Sequence, residues 1–192
     1  MPLAPPALAA GFLAPNLASV GQIGPAVPQF ASGIASGVVA YLTGGLKVLA
    51  TGGGVTGAGT TILPLIVPPP LMQSALLGGF SSLGIIGPLS PLTATGISNG
   101  LTQGWLALAL IQATWPNVGV GAGVAKFLGP SAIPFMVSGF ASAGMVTSGS
   151  VKMATAIGTA LDTVFQSLVV PVPIVGSPSI VPANGLGFGF IV

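Results

Sequence analysis

Few residues in this chain could do chemistry. Lys47, Lys126, Lys152 and Asp162 are its ionisable side chains apart from Tyr41, and it has no His or Cys. The run Gly54-Val-Thr-Gly-Ala-Gly59-Thr60-Thr61 has the spacing of a phosphate-binding loop, in which backbone amides cradle phosphates and a lysine reaches the outer ones. Thr60 stands where that lysine should be, and the one acid of the chain would have to hold the magnesium, so the motif loses its mechanism. It is read as a flexible repeat tail. Gly119, Gly121 and Gly123 carry part of a dinucleotide-type spacing, but no strand, helix entry or downstream acid completes it. A serine nucleophile would find no His to take its proton and no GxSxG elbow. A metal would have to be held almost wholly by carbonyls and hydroxyls. No enzyme activity, cofactor, metal or small-molecule substrate is expected.

The charged residues are therefore read as contacts. Lys152 and Asp162 fall ten apart on one predicted helix and do not face each other. They are expected to be polar-face charges meeting solvent or other subunits, or else Asp162 pairs with a lysine of another repeat and fixes register. Lys47 and Lys126 belong to the same set of inter-repeat or inter-subunit candidates.

Composition narrows the class. Charged residues make up 2% of 192 positions, against about 25% in an ordinary soluble domain. A compact monomer of this mass would show water roughly 8,000 Å² of surface, which four charges do not keep soluble. A net charge of +2 gives no basic patch to release counterions from phosphate, so no nucleic-acid partner is expected. The opening MPLAPPALAAGFLAP lacks a positive n-region and reads as a poor signal peptide. Mean hydropathy is +1.01, yet stretches free of Pro, Ser, Thr, Asn and Gln stay far below the roughly 20 apolar residues of a spanning helix.

What must position these residues is an internal repeat. Gly79, Phe80, Ser82, Gly84, Ala94, Thr95, Ile97, Leu101 and Trp105 recur sixty positions later as Gly139, Phe140, Ser142, Gly144, Ala154, Thr155, Ile157, Leu161 and Phe165. A more divergent copy precedes them. Ala31-Ser-Gly-Ile-Ala-Ser-Gly-Val38 matches Ala94 to Leu101, and Ala10, Gly11, Phe12, Gly24 and Pro25 are set against Leu77 to Phe80, Gly87 and Pro88. One domain of three repeats is expected over 1–192, divided 1–70, 71–130 and 131–192.

Each unit reads as a short Gly-Phe segment, a Gly/Pro/Ser turn, a longer helix and a Gly/Pro-rich tail. The helices show apolar rows at i, i+4, i+8: Ile34, Val38, Leu42; Ile97, Leu101, Trp105; Ile157, Leu161, Phe165. With Phe80 and Phe140 these form the expected packing core, and the aromatic set, Phe12 included, is read as core before ligand cage. The third helix is expected from about 151 to 169, with Met153, Val164 and Leu168 on its apolar side and Thr155, Thr159, Asp162, Thr163 and Gln166 behind. A polar but uncharged back face suits burial against protein. The tails at 51–62 and 117–128 read as flexible or extended loops. In the third, Pro171 and Pro173 are too dense for a central strand, giving polyproline II or an edge strand, and Gly185 to Val192 can form a short strand. The fold class is mainly α: three helix-plus-tail units, pseudo-threefold or stacked linearly, with extended loops and that C-terminal strand.

Helices spelled like Ala154-TAIGTA-Leu161 and Leu92-TATGISNG-Leu101, followed by tails such as Val170-PVPIVGSPSIVP and a closing Gly-Leu-Gly-Phe, resemble the small, charge-poor structural proteins of bacteriophage virions. The resemblance implies a tail or baseplate component, located in the virion, whose partners are other protein subunits. Obligate assemblies have core-like interfaces, which this composition fits. The alternative is a membrane protein, with helices near 74–96, 97–115 and 151–169 packed through Gly, Ser and Thr.

Overall fold

The computed structural model describes the backbone of residues 5–44, 47–52, 57–61, 63–65, 69–105, 111–117, 120–125, 131–167, 170–177 and 185–190, and the side chains of 5–42, 69–104 and 131–164. These residues are mainly helical. α1 (Pro5–Leu8), a π-helix (Ala9–Leu13) and α2 (Ala14–Ser19) run on from one another through right-handed helical dihedrals and form a first rod. It is followed by α3 (Ala26–Gly44), α4 (Pro69–Ser82), α5 (Leu89–Asn99) with its π-helical continuation (Gly100–Trp105), α6 (Ala132–Ser142) and α7 (Ser148–Ser167). Each rod packs on the next in chain order, and α7 packs back against α2 and the first π-helix.

One turn serves three times. Gly21, Gly84 and Gly144 take φ of 85°, 71° and 81°, the left-handed conformation that glycine adopts without a Cβ clash. After α2, Gln22 N donates to Leu17 O and Gly21 N to Ala18 O; after α4, Ile85 N donates to Phe80 O and Gly84 N to Ser81 O; after α6, Met145 N donates to Phe140 O and Gly144 N to Ala141 O, all at 2.9–3.1 Å. This crossed pair of bonds is the Schellman arrangement, which satisfies the last carbonyls of a helix and turns the chain back. The bonds put Leu17, which is buried, where Phe80 and Phe140 stand. The sequence match of Gly11-Phe12 to Gly79-Phe80 is thereby corrected: Phe12 lies more than a turn too early and is only half-buried.

Three helix crossings rest on glycine: at the crossing of α6 with α7, a Cβ on Gly158 would come within 2.8 Å of Ile133 Cα, and the other two follow one pattern. A Cβ on Gly79 would overlap the Gly33 carbonyl oxygen, and one on Gly139 the Gly96 carbonyl oxygen; a Cβ on Gly37 would come within 2.5 Å of Leu76 Cα, and one on Gly100 within 3.0 Å of Met136 Cα. α3 thus meets α4, and α5 meets α6, with backbones in direct contact, the small-xxx-small geometry that lets helices approach closely. Ala156 and Ala160 hold the same spacing on α7 and are buried.

The Gly-Phe segments are accordingly more than short leaders. They are the C-terminal halves of α4 and α6, helices that the periodicity misses because Pro69, Pro70, Gly78 and Gly79 interrupt the one and Pro134 and Gly139 the other. α7 begins at Ser148, where the sequence suggests Val151. Two of the three helices expected for a membrane protein do not form as single spans: 74–96 is broken by the turn at Gly84, and the end of 97–115 lies in β4, which starts at Ile111; the third, 151–169, is matched by α7.

Seven antiparallel strands, β1 (Lys47–Gly52), β2 (Gly57–Thr61), β3 (Leu63–Leu65), β4 (Ile111–Asn117), β5 (Val120–Ala125), β6 (Val170–Ser177) and β7 (Gly185–Phe190), pair in the order β2-β4-β5-β6-β7-β1-β3. Parts of the first two tails are therefore strand where flexible or extended loops are expected, and part of the third is strand, one of its two expected forms, though inside the sheet and not at its edge. β6 lies inside the sheet despite Pro171 and Pro173. Among the described residues, 170–175 pair with β5 and 174–177 with β7, so Pro171 and Pro173 fall where the described pairing is on one side, and there a missing N–H is tolerated.

Candidate functional site

The buried interior is mostly apolar, with Ser90, Thr93, Ser98, Thr102 and Ser150 as its polar members among the described residues. Ile34, Val38, Leu42, Phe80, Ile97, Leu101, Phe140, Ile157 and Leu161 are all at most 2% exposed, and Phe80 stacks on Phe30 with ring centroids 5.5 Å apart. The side chains of Trp105 and Phe165 lie outside the described residues. So do the Lys47 side chain and the whole of Lys126. The phosphate-loop candidate does not turn into a helix: Gly57–Thr61 is β2, paired with β4, and Gly121 and Gly123 lie in β5.

Asp162 serves a helix end. Its carboxylate accepts from Ser131 Oγ and from Ala132 N, both at 2.6 Å, while Ser131 Oγ accepts from Ile133 N. These donors belong to the first turn of α6, where amides lack intrahelical partners and negative charge is favoured. The contact lies within the 131–192 stretch, and Lys152 stands exposed on α7. α4 meets the same need differently, opening on Pro69 and Pro70, which have no N–H to satisfy.

The polar faces are closed upon themselves. Thr155, Thr159 and Thr163 donate to the carbonyls of Val151, Thr155 and Thr159, each at 2.9 Å. Thr95 donates to Pro91 O and Ser74 to Pro70 O. Ser19, Ser82 and Ser142 donate to the carbonyls three residues back. Hydroxyls already bonded to their own helix lose little when water is removed.

One concave feature lies at the turns. A cavity of about 290 Å³ is lined by residues from all three, among them Gln22, Ile85 and Met145 directly after the turn glycines, and Phe30, Thr93 and Met153 from α3, α5 and α7. The next residue of each turn, Ile23, Ile86 and Val146, is 85%, 86% and 72% exposed, and Leu89 beside them 63%. A second, more polar crevice of about 220 Å³ runs between α5 with its π-helix and α6, lined by Asn99, Gln103, Ser138 and Ser142, and Asn99 Nδ2 donates to Ser142 Oγ across it at 2.9 Å. No ionisable side chain lines either. Sequence reasoning passes over the turn-end residues, although their signal is present: Gln22, Ile85 and Met145 follow the three turn glycines directly.

Set against known proteins, the chain matches no family model, no curated protein and no solved structure. Among the described residues no helix is long and apolar enough to cross a membrane.

Proposed function

We propose that this protein is a non-catalytic structural component, covered on most sides by neighbouring subunits of a large assembly, and that the assembly is a bacteriophage virion, in its tail or baseplate. The observation that carries the reading is the exterior: almost uncharged, with helix-face hydroxyls bonded to their own backbones and bulky apolar residues exposed at the turns. Covering such a surface desolvates few unpaired polar groups and buries apolar area. The bacteriophage assignment is carried by the sequence resemblance alone.

The finer architecture belongs to the same proposal. Three units, each a helix pair with an extended tail running into strands, are arranged about a pseudo-threefold axis, the last tail ending in the C-terminal strand. The identical turns, the matched glycine crossings of α3 with α4 and α5 with α6, and the return of α7 to the first rod support it. Symmetric assemblies favour such a unit, because each copy of the motif can meet an equivalent partner surface.

Concentration-dependent light scattering tests the reading directly. The purified chain should self-associate or precipitate in plain buffer, and a monomer at high concentration overturns the proposal. A membrane-inserting protein is the rival, favoured by the same uncharged exterior. Carbonate extraction separates the two, since an inserted protein stays in the membrane pellet and an assembly component leaves it.

A further inference from the structure

The turn-end cavity carries an inference that rests on the structural-component reading and deepens it. We infer that it is a socket for one bulky aromatic side chain with a polar atom, of tryptophan or tyrosine type, presented by a partner subunit seated over the three turns. The volume, about 290 Å³, is roughly twice that of an apolar cavity of about 150 Å³ that accepts benzene, so a bicyclic ring has room. The thioethers of Met145 and Met153 and the ring of Phe30 offer sulfur–aromatic and ring–ring contacts. Phe30 is held in place by its stack on Phe80. The Gln22 amide and the Thr93 hydroxyl are the polar side-chain groups of the lining, suited to an indole N–H or a phenol O–H. No lining residue is charged, so a charged side chain would enter without a counter-ion.

The rim decides between a partner's side chain and a free small molecule. Ile23, Ile86 and Val146 each follow a lining residue in the chain and stand in water. A free molecule fills the cavity and leaves these three exposed, whereas a side chain carried on a partner surface fills the cavity and covers the rim together.

The test uses the full chain carrying ¹³C-methyl methionine and follows Met145 and Met153 in the cavity against Met72 and Met136, which are fully buried elsewhere. Titration with N-acetyltryptophanamide should shift the first two signals saturably and leave the last two in place; N-acetylglycinamide should move none. Met145→Trp, which fills the cavity from the chain itself, should reduce the response of Met153 at least tenfold while Met72 and Met136 keep their positions. An unmoved Met145 and Met153, or an equal shift of all four, overturns the inference. Saturation by free indole with none by the capped tryptophan also overturns it, because the cavity would then admit a free molecule and no backbone-borne side chain. Failure here in a chain that still self-associates sinks the socket alone, while saturable binding in a chain that stays monomeric sinks the structural reading.

Discussion

Asp162 stands out in the sequence as the chain's one acid, but its role comes from a neighbour thirty residues away. The carboxylate joins α7 to the first turn of α6 through two hydrogen bonds. Asp162→Ala should cost about 1–2 kcal/mol, in the range for a lost helix cap, and lower the melting midpoint by roughly 2–8 °C in a thermal scan followed by circular dichroism. Asp162→Asn, which keeps an acceptor oxygen, should cost less than half of that. Glycines at the crossings are less forgiving. Gly139→Ala and Gly79→Ala set a methyl against a backbone carbonyl that has no rotamer to escape into, and each should destabilise by about 1–3 kcal/mol or more in a urea titration. Gly78→Ala, one position away with open space around it, should be neutral or slightly stabilising. A glycine count of 31 suggests looseness. Which of those glycines are contacts is set by crossings that no spacing reveals.

At the scale of elements, legibility follows the length of the signal. α3, α5 and α7 show an i, i+4, i+8 row, and the row residues whose side chains are described, Ile34, Val38, Leu42, Ile97, Leu101, Ile157 and Leu161, are buried. α4 and α6 are shorter than α3, α7 and α5 with its π-helical continuation, and they carry proline and glycine, so periodicity leaves them as turn leaders. They are helices because tertiary contact holds them: Leu76, Phe80, Met136 and Phe140 are buried against the longer partners. The strands were harder still, since the pairings of β1 with β7, β2 with β4 and β5 with β6 join segments remote in sequence, and glycine or proline at alternate positions of β5, β6 and β7 hides the period of two. The turns can be tested alone. A methyl on Gly84 or Gly144 meets nothing within 4 Å, while both have positive φ, so alanine there acts on conformation only. Each substitution should cost about 1–2 kcal/mol, and Gly84→Asn less than Gly84→Ala because asparagine tolerates the left-handed region. Equal losses for the two residues, measured by chemical denaturation, would refute this account of the turn.

For the whole molecule, the candidate site was the least legible part. Its lining brings unlike residues to matching positions, Gln22 with Ile85 and Met145, Phe30 with Thr93 and Met153, so identity-based matching passes over them. The exposed tips separate folding from association. Ile23→Lys, Ile86→Lys and Val146→Lys alter side chains that are mostly in water. Each should leave stability within about 0.5 kcal/mol. The triple variant should lower self-association at least tenfold by light scattering, and unchanged association would remove the turn face from the interface.

The return of α7 to α2 and the first π-helix has a consequence during synthesis. At about 5–20 residues per second, the first rod emerges many seconds before the helix that will cover it. Until then the face that α7 will cover stays open to any other chain that presents a suitable small-residue helix. Nascent chains on one polysome offer such helices to one another. Exchange of α7 between neighbours, with each copy closing the next, is the misassembly to which this topology is most exposed.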